Sequence, residues 1–263
     1  MSIGIAIALV TVIGLLGAGI LVLAAKFMSV EEDPRVGQVL ECLPGANCGA
    51  CGYAGCADYA KAIVEGAPVN KCVPGGAKTA AAAAAVMGVE AGETRVVNAV
   101  VACQGSDDIC HKKYDYQGIS SCAAASALSG GPYACPYGCI GLGDCVKACK
   151  FDAITVKDGL AHVDPAKCTG CGACRDVCPQ KVIWMYDSKH KPVVMCANHE
   201  KGGITNKECK LGCIACMKCE KTCPEGAIKV TNFVARIDYS KCTGCGACVE
   251  VCPKHVIHQP ADF

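Results

Sequence analysis

The sequence predicts an α+β chain with three kinds of part. These are a single N-terminal transmembrane helix, a small cysteine-rich domain, and two tandem cysteine-rich modules of short helices and hairpins. Three observations predict it. Residues 3–25, IGIAIALVTVIGLLGAGILVLAA, carry no charged side chain. The 263 residues include 26 cysteines, a level at which composition points to a disulfide scaffold or a metal protein. The cysteines also fall into repeated close runs.

The apolar run is long enough to span a hydrocarbon core, which takes roughly 20 residues. A cleaved signal peptide would want a charged start and a shorter core, and nothing basic precedes this run. No second run of that length follows, so the expectation is a single pass in the cell (inner) membrane. Lys26 and Arg35 come next, with Glu31, Glu32 and Asp33 between them. Acidic residues count little for topology, so the rest of the chain is expected on the cytoplasmic side, where thiols stay reduced. A net charge of +1 and one tryptophan, Trp184, give no reason to expect a nucleic-acid partner.

Residues 242–253 read CTGCGACVEVCP, a C-x2-C-x2-C-x3-C-P run. In bacterial ferredoxins such a run gives three thiolates to one [4Fe–4S] cube, and its fourth cysteine ligates the other cluster of a pair. Small residues let the loop wrap the cube with backbone N–H groups aimed at it. The run recurs at 168–179, CTGCGACRDVCP, and at 213–224, CIACMKCEKTCP. Structural zinc uses separated pairs of cysteines, not four close thiols. Between the runs, Asp158-Gly159 joins two short β patterns, Ala153–Val156 and Leu160–Val163, as a hairpin, and 224–241 follows the same plan.

Two bacterial ferredoxin-like, 2[4Fe–4S] modules follow, over 132–187 and 206–263. Each exchanges its fourth cysteines. In the second, Cys213, Cys216, Cys219 and Cys252 form one expected site, and Cys242, Cys245, Cys248 and Cys223 the other. In the first, Cys168, Cys171, Cys174 and Cys149 form one, and Cys139, Cys145 and Cys178 need a fourth partner. Leu142 stands where Cys216 stands in the second copy, and Lys150 stands where a proline would follow Cys149. Cys135, near in sequence, is favoured as that partner over Cys122. VVACQG at 100–105 also resembles VVMCANHEKG at 193–202, and Cys135 falls opposite Cys209, so the repeat exceeds one ferredoxin module.

Residues 44–76, PGANCGACGYAGCADYAKAIVEGAPVNKCVPGG, set Cys48, Cys51, Cys56 and Cys72 at C-x2-C-x4-C-x15-C. They form a small membrane-proximal 4Fe–4S domain with a helix expected over 58–66. The partition is helix 1–27, small domain 30–92, connection 93–131, first module 132–187, connection 188–205 and second module 206–263. Cys42, Cys103, Cys110, Cys122, Cys196 and Cys209 are left over, as a sixth cluster's ligands or as buried thiols that pack like small hydrophobes. Five clusters are expected. Lys147, Lys150, Arg175, Lys181 and Lys241 flank the cluster loops and could form a basic rim for an acidic donor, or be solvated surface.

The apolar helix followed by LPGANCGACGYAGC…CVPGG and then by ferredoxin runs resembles the B subunit of the Rnf complex, over essentially the whole chain. Cys48, Cys51, Cys56 and Cys72 match that family's membrane-proximal motif. The resemblance implies an electron-transfer subunit of a membrane-bound, ion-translocating ferredoxin:NAD+ oxidoreductase. It would take electrons from soluble ferredoxin and pass them to the complex's other subunits, ultimately to NAD+, with Na+ or H+ moved across the membrane. Flavin and NAD sites are implied in those partners, in keeping with the lack of a Walker A run or a G-x-G-x-x-G after a strand here. The six histidines, His190 among them, show no HExxH spacing, and no nucleophile–base set suggests a self-contained enzyme. Two other readings are a polyferredoxin serving a hydrogenase or other membrane dehydrogenase, and a zinc or disulfide scaffold.

Overall fold

The computed structural model describes residues 3–27, 33–94, 96–187 and 192–259; Glu31, Glu32 and His190 lie outside them. The first described residues form helix α1 (Ile3–Phe27). Among the described residues no helix is long and apolar enough to cross a membrane, which overturns the expected transmembrane helix over 1–27.

The small domain is three helices, α2 (Pro34–Cys42), α3 (Cys56–Val64) and α4 (Gly76–Met87). Asp33 caps α2 by accepting from the Arg35 N–H, and Pro34 suits a first turn that needs no donor. Gly88, at φ +67°, ends α4 in the left-handed region. Val39, Leu43, Tyr59, Ala60, Ile63, Val69, Ala83 and Ala84 bury together with Cys72. The alanines let the helices approach closely. Tyr59, Ala60 and Ile63 are on the buried side of α3.

Each module is built on two antiparallel strand pairs and three short helices. In the first, β1 (Val97–Val101) runs antiparallel to β4 (Ile183–Asp187), with Val97 opposite Asp187 and Val101 opposite Ile183. Helices α5 (Cys122–Ala127) and α6 (Asp144–Ala148) precede the hairpin β2 (Ile154–Lys157)–β3 (Leu160–Val163), and α7 (Ala173–Val177) follows it. Asp158 and Gly159, at φ +49° and +73°, make the tight turn the Asp-Gly pair requires. In the second, β5 (Val193–Val194) pairs with the final strand β8 (Ile257–His258). Between them lie α8 (Gly202–Glu208), α9 (Lys218–Thr222), the hairpin β6 (Ile228–Thr231)–β7 (Val234–Ile237) and α10 (Ala247–Glu250).

The segments 93–131 and 188–205, expected as connections, thus supply each module's first strand. Gly170 shows how closely β1 sits on a cysteine loop: at φ +69°, a Cβ there would run into the Val97 carbonyl. The two modules meet at Trp184 of β4. It packs against both module cores and lays its ring 3.9 Å from the Arg236 guanidinium of β7. Cysteines supply much of both cores. Cys139, Cys145 and Cys174 are buried in one, and Cys196, Cys213, Cys219, Cys248 and Cys252 in the other.

Candidate metal centres

No disulfide joins any of the 26 cysteines. The local fold explains how the runs present them. The middle cysteines Cys145, Cys174, Cys219 and Cys248 sit in the first turn of α6, α7, α9 and α10. Just before each helix, Gly143, Gly172, Met217 and Gly246 take positive φ, which curls the loop so that its thiols converge. Cys149, Cys178 and Cys223 cap three of these helices in extended backbone and leave toward the neighbouring loop.

Three cavities result, each walled by four cysteines. One holds Cys213, Cys216, Cys219 and Cys252. Another holds Cys223, Cys242, Cys245 and Cys248, with the Ala227 N–H donating to Cys223 Sγ at 3.3 Å. The third holds Cys139, Cys145 and Cys178, and its fourth thiol is Cys122 at the start of α5. Cys135, the partner expected there, lines a separate cavity. The physical reason is placement. The Asp144 carboxylate accepts from the Ser121 hydroxyl (2.9 Å) and the Ala123 N–H (3.1 Å), tying α5 to the start of α6. Leu142, at the missing ligand's position, packs on Cys122, Ala125 and Ile140.

Cys149, Cys168, Cys171 and Cys174 lie within electrostatic reach of one another, and the Ala99 N–H of β1 donates to Cys168 Sγ at 3.3 Å. In the small domain, Cys48, Cys51 and Cys56 surround Cys72. Asn47 Oδ1 accepts from the Cys56 N–H at 2.8 Å, anchoring the loop to α3. The buried Tyr59 donates to the Pro68 carbonyl (2.7 Å) and accepts from the Lys71 N–H (3.1 Å), fixing the segment that carries Cys72. Burial pushes the Tyr59 hydroxyl up to about 12, so it stays a donor.

Desolvation raises the clustered thiols as well: Cys145 to about 12, and Cys174, Cys219 and Cys248 to about 11. Thiolates persist in such voids only if cations replace the protons. Among the described residues, no three His, Cys, Asp or Glu side chains converge to hold one metal ion. Thiols around a void suit an iron–sulfur cube, whose four irons each take one thiolate at a separate corner.

The basic residues beside the loops are engaged within the chain. Lys147 bonds the Ser120 carbonyl, Lys150 the Ala46 carbonyl and Lys181 the Asp176 carbonyl, while Arg175 pairs with Asp176 and Lys241 with Asp238. Lys150 thereby ties the first module to the Cys48 loop, from the position where the other runs carry a proline. Cys48 in turn lies close enough to Cys171 to perturb it electrostatically. Cys42, at the end of α2, donates to the Gln38 carbonyl and joins none of these groups.

Comparison with known proteins fits this geometry. An Fe–S cluster family matches residues 43–74, and 4Fe–4S dicluster domain families match 136–185, 167–227 and 212–256. The chain is 45% identical to the B subunit of the ion-translocating oxidoreductase complex of Methanosarcina acetivorans, over 90% of each chain. It is 42% identical to the B subunit of the Na(+)-translocating ferredoxin:NAD(+) oxidoreductase complex of Acetobacterium woodii, over 92% of this chain and 74% of that one. The B subunit of the proton-translocating ferredoxin:NAD(+) oxidoreductase complex of Clostridium ljungdahlii is 41% identical, over 94% and 89%.

Proposed function

We infer the route of the electrons from the premise that this chain belongs to the family of ion-translocating oxidoreductase complex B subunits. It is an electron-transfer subunit of an ion-translocating ferredoxin:NAD+ oxidoreductase complex, it carries 4Fe–4S clusters, and its partners are the other subunits of that complex. When bound, each cluster supplies a site for one electron at a time. The chain's own residues fix where those sites stand and what surrounds them.

Five ligand sets are proposed: Cys48, Cys51, Cys56 and Cys72; Cys149, Cys168, Cys171 and Cys174; Cys122, Cys139, Cys145 and Cys178; Cys213, Cys216, Cys219 and Cys252; and Cys223, Cys242, Cys245 and Cys248. Backbone N–H groups on Cys168 and Cys223 stabilise the thiolates and favour the reduced state by tuning cluster charge. Soluble ferredoxin is the proposed donor, at the second module. The small domain, which sits against the first module at Lys150 and Ala46, is the proposed exit toward the membrane partners of the complex. The cysteine chemistry favours a reducing, cytoplasmic setting.

The observation that carries this direction is exposure. Among the cysteines, only Cys216 and Cys245 are exposed, and both belong to the second module, whereas those of the first are buried or half-buried. A docked donor therefore comes nearest to clusters of the second module. Reduced ferredoxin, mixed anaerobically with the chain, should bleach its cluster absorbance. Lys218→Glu, beside Cys216 on an exposed stretch, should slow this roughly tenfold at low ionic strength by repelling an acidic donor, and leave reduction by dithionite unchanged. Ferredoxin that reduces wild type and variant equally fast would place the input elsewhere.

A further inference from the structure

A fourth cavity lies where the two modules meet, and five thiols line it that none of the five sets uses. They are Cys103, Cys110, Cys135, Cys196 and Cys209. We propose that Cys103, Cys135, Cys196 and Cys209 hold a sixth [4Fe–4S] cube that bridges the modules.

The first argument is an internal twofold relation. Cys103 follows β1 and Cys196 follows β5, and in both the residue before the cysteine donates its N–H across to the opposing chain: Ala102 to the Val182 carbonyl (2.8 Å), Met195 to the Val256 carbonyl (2.6 Å). Cys103 Sγ then accepts from the Cys139 N–H (3.5 Å) and Cys196 Sγ from the Cys213 N–H (3.3 Å). Cys135 and Cys209 open matching C-x-x-G-C stretches, 135–139 and 209–213, whose Gly138 and Gly212 both line the cavity. Each repeat thus contributes one thiol after its first strand and one from the turn ahead of its first cluster loop. Two copies supply four thiols around one void, which is what a cube needs and what neither repeat could assemble alone.

The second argument is the surroundings. The Gly105 N–H donates to Cys103 Sγ at 3.3 Å and the Asn198 side-chain amide to Cys135 Sγ at 3.3 Å. These are the N–H to sulfur contacts seen at Cys168 and Cys223, the usual means of stabilising ligating thiolates. Cys103 and Cys135 lie outside every stretch matched by the families above. Cys110 has no counterpart in the twofold relation. It bridges to Cys209 along the backbone and serves as a neighbour to the site rather than a ligand.

Position gives the site its use. Cys139, a thiol of the first module's cavity, also lines this one, and Cys196 takes its hydrogen bond from Cys213 of the second module. A cube here stands between the innermost site of one module and that of the other. Held there by Cys103, Cys135, Cys196 and Cys209, it would supply a one-electron site between the two modules, with no bond made or broken.

This rests on the five-site reading and is tested so that the two can fail separately. Chains purified anaerobically should carry about 24 irons with equal sulfide, against about 20 for five cubes. The double variant Cys103→Ala/Cys196→Ala should lose about four irons and keep the EPR signals of the other clusters. Cys110→Ala should keep them all. A wild-type count near 20 overturns the sixth site and leaves the five standing, and that count decides the matter even if the variant does not fold. A double variant with its full iron content also overturns it, and iron lost from Cys110→Ala but kept by Cys209→Ala overturns the ligand set. A chain without iron sinks both readings.

Discussion

The two modules share one plan and differ at one corner of one site. In the second, Cys216 sits in the loop between Cys213 and Cys219 and reaches the surface. In the first, Leu142 occupies that position, and Cys122 arrives from α5 and is buried. A cube requires four thiols at its corners and is indifferent to which stretch of chain brings each one. Moving the ligand has consequences. The first module's segment between β1 and α6 must be longer to include α5, a carboxylate must hold α5 in place, and Leu142 becomes available for packing. That corner also becomes buried, which suits an internal relay, while the exposed corner at Cys216 suits contact with a soluble donor.

If the difference lies in ligand delivery alone, both modules should depend equally on their clusters. Their cores are built around cysteines, so removing iron leaves hollow, thiol-lined voids in each. Chelation under reducing conditions is expected to unfold both modules, seen as loss of strand signal in far-UV circular dichroism. The small domain buries Val39, Leu43, Tyr59, Ile63 and Val69 in addition to Cys72, and should retain helical signal. A module that stays folded without iron would show that its core has a source of stability besides the cluster.

A smaller effect isolates the relocated corner. Cys122→Ala is expected to remove the fourth thiol from the Cys139, Cys145 and Cys178 site, so that the four-iron cluster there is lost or degraded to a three-iron form with a distinct EPR signal. Cys135→Ala should leave that signal intact. Adding Leu142→Cys to Cys122→Ala should restore a four-iron cluster by recreating the second module's arrangement. Failure of the restoration would mean that the first loop has diverged in backbone as well as in side chain.

How much of this was legible in the sequence follows from the range of the interactions. The three complete runs and the Cys48–Cys72 spacing are local, and four of the five proposed ligand sets are legible from them. The Asp158-Gly159 hairpin is local too. The placement of Cys122 beside Cys139, Cys145 and Cys178 is not: it depends on Asp144 reaching Ser121 and Ala123 across the intervening chain, whereas nearness in sequence points to Cys135. The first strands of both modules were missed for the same reason, since β1 meets β4 and β5 meets β8 only after a whole module has intervened. The matching VV-x-C and C-x-x-G-C stretches did signal a longer repeat, but not the void that their four thiols share. At the N-terminus an uncharged run correctly marks a helix, yet among the described residues no helix is long and apolar enough to cross a membrane.

The smallest effect concerns the tie that replaces a covalently adjacent ligand. Asp144 is well shielded, its side chain 17% exposed, and accepts two hydrogen bonds from the α5 N-terminus while Lys147 stands 3.9 Å away. Bonds to an ionised acceptor typically contribute more than neutral ones, so Asp144→Ala should cost about 1–3 kcal/mol of holo-protein stability. It removes no thiol, so the iron content should stay complete. The cluster held by Cys122 should instead bleach at a lower guanidinium concentration than in wild type, while the bleaching of the second module's clusters stays in place, because Cys216 needs no such tie. Asp144→Asn keeps an acceptor for at least one of the two donors and should fall between. If Asp144→Ala shifts the clusters of both modules equally, the carboxylate stabilises the fold at large, and the relocated ligand is held by the packing of Leu142 and Ile140 on α5.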